Sequence, residues 1–150
     1  MILLSRRSQL AIAAVVDVAI HARPSPVAAK ALAARHNLPP RHLETLLQAL
    51  VKAGILKGVR GPRGGYELAR ERRRVSAGEI VRAAMADGLE EGTLPEPESL
   101  LVNIVVRPLV HVASQKFLAE LDAVSVDDLC RQAGDMAVFG KPKTSADFTI

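Results

Sequence analysis

The stretch Ile55-Leu56-Lys57-Gly58-Val59-Arg60-Gly61-Pro62-Arg63-Gly64-Gly65-Tyr66-Glu67-Leu68 decides how the chain is read. Ile55 to Arg60 reads as a short strand, Gly61 to Gly65 as a turn dense in Gly and Pro, and Tyr66-Glu67-Leu68 as the start of the return strand. The hairpin is basic. Arg60 and Arg63 flank or crown its turn, where a minor groove can receive them, and the glycines let backbone approach a phosphate closely. By itself the same segment is also what a solvated hairpin with incidental arginines looks like.

Upstream, apolar spacing predicts three helices. Ile12, Val15, Val16, Ala19 and Ile20 recur at helical intervals, so the first helix runs from about Ser5 to Ala22, and Pro24-Ser25-Pro26 ends it. An Ala-rich helix follows from Val27 to about Arg35 and stops at His36-Asn37, where Asn37 can take the left-handed conformation. Pro39-Pro40 opens a third helix with Leu43, Leu46, Leu47 and Leu50 as its core face, and Gly54 ends it. Two short helices joined by a tight turn read as a helix-turn-helix or as an ordinary helical hairpin. On the third helix Arg41, Thr45, Gln48 and Lys52 form one polar stripe opposite the leucines. Arg can hold guanine and Gln adenine with two hydrogen bonds, Thr and Lys can reach bases or phosphates, and Glu44 beside them can accept from a cytosine amine. The stripe also suits a solvated helix face. A basic hairpin placed directly after such a helix pair makes a winged helix.

Downstream, Ser76 and Glu79 form a capping box, with Val75 packing on Ile80 as its hydrophobic staple, and this fourth helix closes the small core by about Met85. Arg70, Arg72, Arg73 and Arg74 just before it are either DNA-backbone contacts or a solvated run. Asp87 to Ser99 combines Gly88, Gly92, Pro95 and Pro97 with five acidic residues and reads as a linker. From Leu100 to Val124 a long helix carries one stripe of Val102, Val106, Leu109, Ala113, Phe117, Leu121 and Val124. Leu101, Val105, Val112 and Leu118 give it a second apolar face. A helix apolar on two faces needs partners on both sides, and a second subunit is the expected outer one. Pro108 either kinks this helix or sits in its first turn, leaving Leu100 to Arg107 as a separate piece. Ser125 caps a last short helix through about Gln132, and from Gly134 onward the chain reads as a tail.

The 150 residues are 49% hydrophobic, 24% charged and 3% aromatic, enough for one core without disulfides and too apolar for a disordered chain. Cys130 is the single cysteine, so no intrachain disulfide, three- or four-cysteine zinc site or chain-held iron–sulfur cluster is possible, and a reducing compartment is expected. No membrane span or secretory signal is expected. Residues 1–86 carry 15 Lys+Arg against 5 Asp+Glu, a net of +10, whereas residues 87–150 carry 5 against 11, a net of −6. A polyanion partner for the front half is one reading, an uneven solvating surface the other. Against an enzyme, there is no nucleophile elbow, phosphate loop, H-E-x-x-H or recognisable carboxylate pair. His21, His36, His42 and His111 read as surface or packing residues, and Cys130 as a buried small hydrophobe.

Taken together, Leu38 to Leu47, Lys52-Ala53-Gly54-Ile55-Leu56, Val59 to Arg70, Val75 to Ala83, Asp17-Val18-Ala19 and Ser125-Val126-Asp127-Asp128-Leu129 resemble the Rrf-two family of bacterial winged-helix transcription regulators, the IscR, NsrR and CymR type. The match is close over about 5–86 and loose over 100–132. The resemblance implies a cytoplasmic homodimer, a repressor on a palindromic operator in double-stranded DNA. Its contacts would fall on Arg41, His42, Glu44 and Thr45 in the third helix and on Arg60 and Arg63 in the wing, beside the stripe's Gln48 and Lys52. The chain departs from the pattern at Pro39-Pro40 and at Gln9-Leu10. It also lacks, between Asp87 and Leu100, the three cysteines that hold a cluster in some members, so no cofactor is carried over, and what replaces the cluster, whether another ligand, a partner protein or nothing, is open. The expected fold is mainly α with a small β-hairpin wing. It comprises a winged helix-turn-helix DNA-binding domain (1–86), an acidic Pro/Gly linker (87–99), a long dimerisation helix with a short closing helix (100–132) and a tail (133–150). A winged-helix interaction module that does not bind DNA is the alternative.

Overall fold

The structure is a computed structural model that describes residues 4–86 and 99–140. The expected linker, apart from Ser99, and the tail beyond residue 140 lie outside the described residues.

Helix α1 (Arg6–His21) begins at Ser5, whose hydroxyl accepts the Ser8 N–H at 3.0 Å, as an N-cap should. Its buried face is Ala11, Ala14, Val15 and Val18. Helix α2 (Ala29–Arg35) closes through Asn37 at φ +55°. The Leu38 N–H reaches the Ala33 carbonyl and the Asn37 N–H the Ala34 carbonyl, the paired bonds of a left-handed helix end. Helix α3 (Arg41–Lys52) starts from Pro40, wholly buries Leu43, Leu46, Leu47 and Leu50, and closes at Gly54 with the Ile55 N–H on the Leu50 carbonyl.

Strands β1 (Leu56–Val59) and β2 (Gly65–Leu68) form the expected antiparallel hairpin, with Leu56 opposite Leu68 and Val59 opposite Gly65. One expectation is corrected here: Val27 does not start α2. It lies beside β2, exchanging both backbone hydrogen bonds with Tyr66 at 2.8 Å, so the wing carries a third, one-residue edge. That pairing brings two backbones close. A Cβ on Gly65 would stand 2.3 Å from the Val27 carbonyl oxygen, so only glycine fits.

Helix α4 (Ala77–Met85) is capped by Ser76, whose hydroxyl accepts the Glu79 N–H at 3.1 Å. The reciprocal half of the expected capping box is absent, because the Glu79 carboxylate turns to Arg70 at 2.7 Å instead. Beyond the undescribed stretch, Leu100 and Leu101 enter a π-helical turn (Val102–Val106) that runs into α5 (Arg107–Asp122). Pro108 explains the wide turn. Its ring cannot tolerate a carbonyl in the ordinary position one turn back, and the Arg107 N–H reaches past it to the Val102 carbonyl. The expected single helix is therefore continuous but locally unwound. Helix α6 (Val126–Asp135) opens with a complete capping box between Ser125 and Asp128 and runs beyond Gln132, through Gly134, so the expected tail begins later than the sequence suggested.

The core gathers α1, α2, α3, β1, α4 and, from the far end of the chain, Val126 and Cys130 of α6. Backbone bonds from Ala77 N–H to the Val124 carbonyl and from Val126 N–H to the Val75 carbonyl, both 2.8 Å, sew α6 to the base of α4. Gly78 of α4 faces Asp122 at the end of α5, which Arg82 holds through two bonds of 2.6 and 2.9 Å.

Candidate nucleic-acid interface

Leucine burial turns the opposite side of α3 outward. Arg41, His42, Glu44, Thr45, Gln48 and Lys52 are all exposed on it, and Arg60 and Arg63 are exposed at the end of β1 and in the wing turn. The structure thus brings the six helix positions onto one surface and the two arginines onto the hairpin that follows it.

The basic residues of this surface differ from the arginines behind it in whether an acid meets them. Arg70 pairs with Glu79 at 2.7 Å, Arg72 with Asp127 at 3.1 Å, Arg74 with Glu71 at 3.7 Å and Arg82 with Asp122. Arg41, Arg60 and Arg63, and with them Lys52, have no acidic partner among the described residues. A cation already matched by a carboxylate offers little to a phosphate, whereas an unmatched one keeps its full charge for an incoming polyanion. The run Arg70 to Arg74, which sequence left open between DNA backbone and solvent, has a third use: it fastens the wing's exit to α4 and α6.

One cluster escaped the sequence reading. Asp17 is wholly buried in α1 and holds Arg35 of α2 through contacts of 2.6, 2.9 and 3.1 Å. His21 Nδ1 lies 3.2 Å from Asp17 Oδ1 and His36 Nε2 3.1 Å from Oδ2. Burial pushes the Asp17 carboxyl up, but the Arg35 guanidinium bonded to it, aided by the two imidazoles, outweighs this and holds it below the ordinary carboxylate range. The signal was present: an acid among Ala14, Val15 and Val18 on the apolar face of α1 demands a partner. The cluster fixes the first helix of the helix-turn-helix against α1.

A family model described as "Rrf2: Iron-dependent Transcriptional regulator" matches residues 4–132. The chain belongs to the Rrf2 family. Similar proteins are also described as transcriptional regulators. The Synechocystis protein slr0846, described as an HTH-type transcriptional regulator, is 35% identical over 131 residues, 84% of this chain and 86% of that one. IscR of Vibrio atlanticus is 36% identical over 80 residues, which cover 53% of this chain and 46% of that protein, so the match spans about half the length of that relative. Among solved structures, T. potens IscR superimposes with a TM-score of 0.68 at 32% identity, covering 89% of each chain. CymR of B. subtilis, at 24% identity and a TM-score of 0.64 over 88% of this chain and 98% of that one, shares the fold. An Rrf2 regulator with a wing and helix-turn-helix is thus established.

The iron in the family's description does not fit this chain as a thiolate-held cluster. Cys130 is the sole cysteine, it is buried in α6, and residues 87–98 contain neither Cys nor His. Among the described residues no group of three or more His, Cys, Asp or Glu side chains is placed to hold a metal ion. Burial also pushes the Cys130 thiol up, with Arg72 only partly opposing it, which disfavours the thiolate that metal binding needs. Among the described residues no helix is long and apolar enough to cross a membrane.

Proposed function

We propose that the protein is a cytoplasmic, non-enzymatic repressor that binds a palindromic operator as a homodimer without an iron–sulfur cluster. Helix α3 enters the major groove with Arg41, His42, Glu44, Thr45 and Gln48 toward base edges, and Lys52, at the end where the helix leaves the groove, holds backbone. Arg60 and Arg63 of the wing enter the flanking minor groove. The observation that carries the reading is the sorting of basic residues: Arg41 and Lys52 on α3 and Arg60 and Arg63 at the wing turn meet no acid among the described residues, while Lys57 on the wing strand and the arginines behind it are paired with acids. The dimer is supported by Leu100, Leu101, Ile104, Val105, Leu109 and Val112, which are each at least 50% exposed in the single chain. Apolar surface of that extent marks an association site, and two copies joined along it present two α3 helices to two half-sites.

The test is selection of bound fragments from genomic DNA, followed by titration of alanine variants on the selected operator and on random duplex at several salt concentrations. Arg41→Ala is expected to cost about 1–3 kcal/mol on the operator and less on random DNA. Arg63→Ala is expected to weaken both alike and to reduce the salt slope by about one unit for each phosphate that the variant no longer neutralises. Equal losses on both DNAs for both variants would remove base reading from α3.

A further inference from the structure

A solvent-open cavity of about 680 Å³ lies between the last turn of α1 and the segment that leaves the wing. None of its lining residues belongs to α3 or to the wing turn, so it is a different surface from the nucleic-acid interface. Its charged lining is Arg23, Arg70, Arg72 and Arg73 against Glu67 and Glu71, over an apolar floor from the end of α1. Both glutamates are already engaged outside the cavity, Glu67 by Lys57 at 3.0 Å and Glu71 by Arg74 at 3.7 Å, and Arg70 is matched by Glu79. What remains is uncompensated. Arg23 has no hydrogen-bond or ion-pair partner among the described residues. Arg72 and Arg73 share the single carboxylate of Asp127, at 3.1 and 3.9 Å, while Arg131, which also reaches Asp127 at 3.4 Å, has its closer partner in Asp128. Two guanidinia sharing one carboxylate, facing a third that has none across a metabolite-sized cavity, leave a site short of negative charge.

We propose that this cavity binds a small anion bearing carboxylate or phosphate groups, taken up between Arg23 and the Arg72–Arg73 pair. The size is that of ordinary ligand pockets, and guanidinium is the donor best shaped for planar carboxylate and phosphate oxygens. The apolar floor gives a place for a short carbon skeleton. The bound anion meets the demand that Asp127 meets only in part, and it touches the segment through which the wing is joined to α6.

Calorimetric titration of the full chain without DNA, in a buffer lacking phosphate, tests this with citrate and inorganic pyrophosphate as probes. Separating the site from DNA keeps its outcome independent of the operator reading. Saturable binding of one probe per chain is expected, weakened at least about tenfold by Arg23→Ala and by Arg73→Ala, as loss of one charge-assisted bond requires. Arg23→Lys is expected to retain part of the affinity, and Arg63→Ala in the wing all of it. Both target arginines are exposed, and unchanged circular dichroism confirms that the variants fold. No saturable binding of either probe at millimolar concentration would overturn the proposal. So would equal weakening by Arg63→Ala, which would mean diffuse attraction to a basic surface. If Arg23→Ala and Arg73→Ala weakened duplex DNA binding and left probe binding intact, these arginines would be backbone contacts and the ligand site would be refuted.

Discussion

In α3, Leu43, Leu46, Leu47 and Leu50 are wholly buried, whereas from Leu100 to Asp122 no residue is buried, although the second stretch is the more aliphatic of the two. The difference lies in pattern rather than in quantity. The leucines of α3 occupy one face, and α1, α4 and β1 of the same chain supply the surface that meets it. The aliphatics of the π-turn and α5 spread around the helix, and the single chain covers only the end near Asp122, where Phe117 and Leu121 are half-buried. A one-faced stripe is satisfied within the chain; an all-round one asks for surface from another molecule.

The contrast can be broken at its strongest point. Asp17→Ala removes the buried acid that ties α1 to α2. It is expected to cost about 3 kcal/mol of folding stability in urea titration, the lower end for a buried pair because Arg35 keeps some access to water. A cost below about 1 kcal/mol would place the cluster with ordinary surface pairs. The same group sets an acid limit. Because its folded pKa is depressed, its contribution is fully present above the unfolded carboxylate value of about 3.9 and is lost as pH falls through the lower folded value. Asp17→Asn is expected to remove that part of the acid-unfolding curve.

Next in size is the exposed arm. Ile104→Glu with Leu109→Glu is expected to leave circular dichroism and cooperative unfolding intact, to give a monomer in light scattering, and to weaken operator binding at least about tenfold by losing the second half-site. Wild-type protein that is monomeric at micromolar concentration would refute the dimer. These positions test association more cleanly than Phe117 or Leu121, which also pack against their own chain.

Smaller effects are expected at the joint between the regions. A methyl group on Gly78 would stand 1.9 Å from Asp122 Oδ1 and 3.1 Å from its backbone nitrogen, so Gly78→Ala must turn the Asp122 carboxylate aside and shift the end of α5 by a few tenths of an ångström. Overpacking of about 1–3 kcal/mol, set against about 1 kcal/mol of gained helix propensity, leaves a net cost near 1 kcal/mol in the same urea titration. Arg82→Ala is expected to leave the thermal midpoint unresolved from wild type at physiological salt. Its pair with Asp122 is exposed, and screening removes most of what two good bonds supply.

Local chemistry was the legible part. Ser76 and Ser125 cap the helices they precede, the first helix starts beside Ser5, Asn37 closes α2, and Gly61 to Gly65 turn the wing, because each of these depends on residues within a few positions. The exposed stripe of α3 was legible for the same reason, since it is what remains when the leucines are buried. Apart from the length of α6, the misses involve distant partners. Val27 lies beside Tyr66 rather than in α2, Glu79 answers Arg70 rather than its own helix end, and Arg72 meets Asp127 from far along the chain. No periodicity records such choices, because they are settled only when separate elements pack. Pro108 lies between the two cases: its disturbance was foreseen, but the wide turn that absorbs it was not.

The one-residue edge at Val27 makes the wing part of a gauge. Two hydrogen bonds to Tyr66 and the close seat of Gly65 lock the hairpin to the chain that leads directly into α2 and α3. The reading helix and the wing tip are thus held like the jaws of a caliper. On the proposed mode of binding, the gap between the two grooves is then a dimension that the protein imposes. Duplexes whose intrinsic groove width already matches it bind without distortion, while stiffer or wider ones must be bent to fit, at a cost that depends on their sequence. Discrimination would then extend to base pairs that no side chain touches.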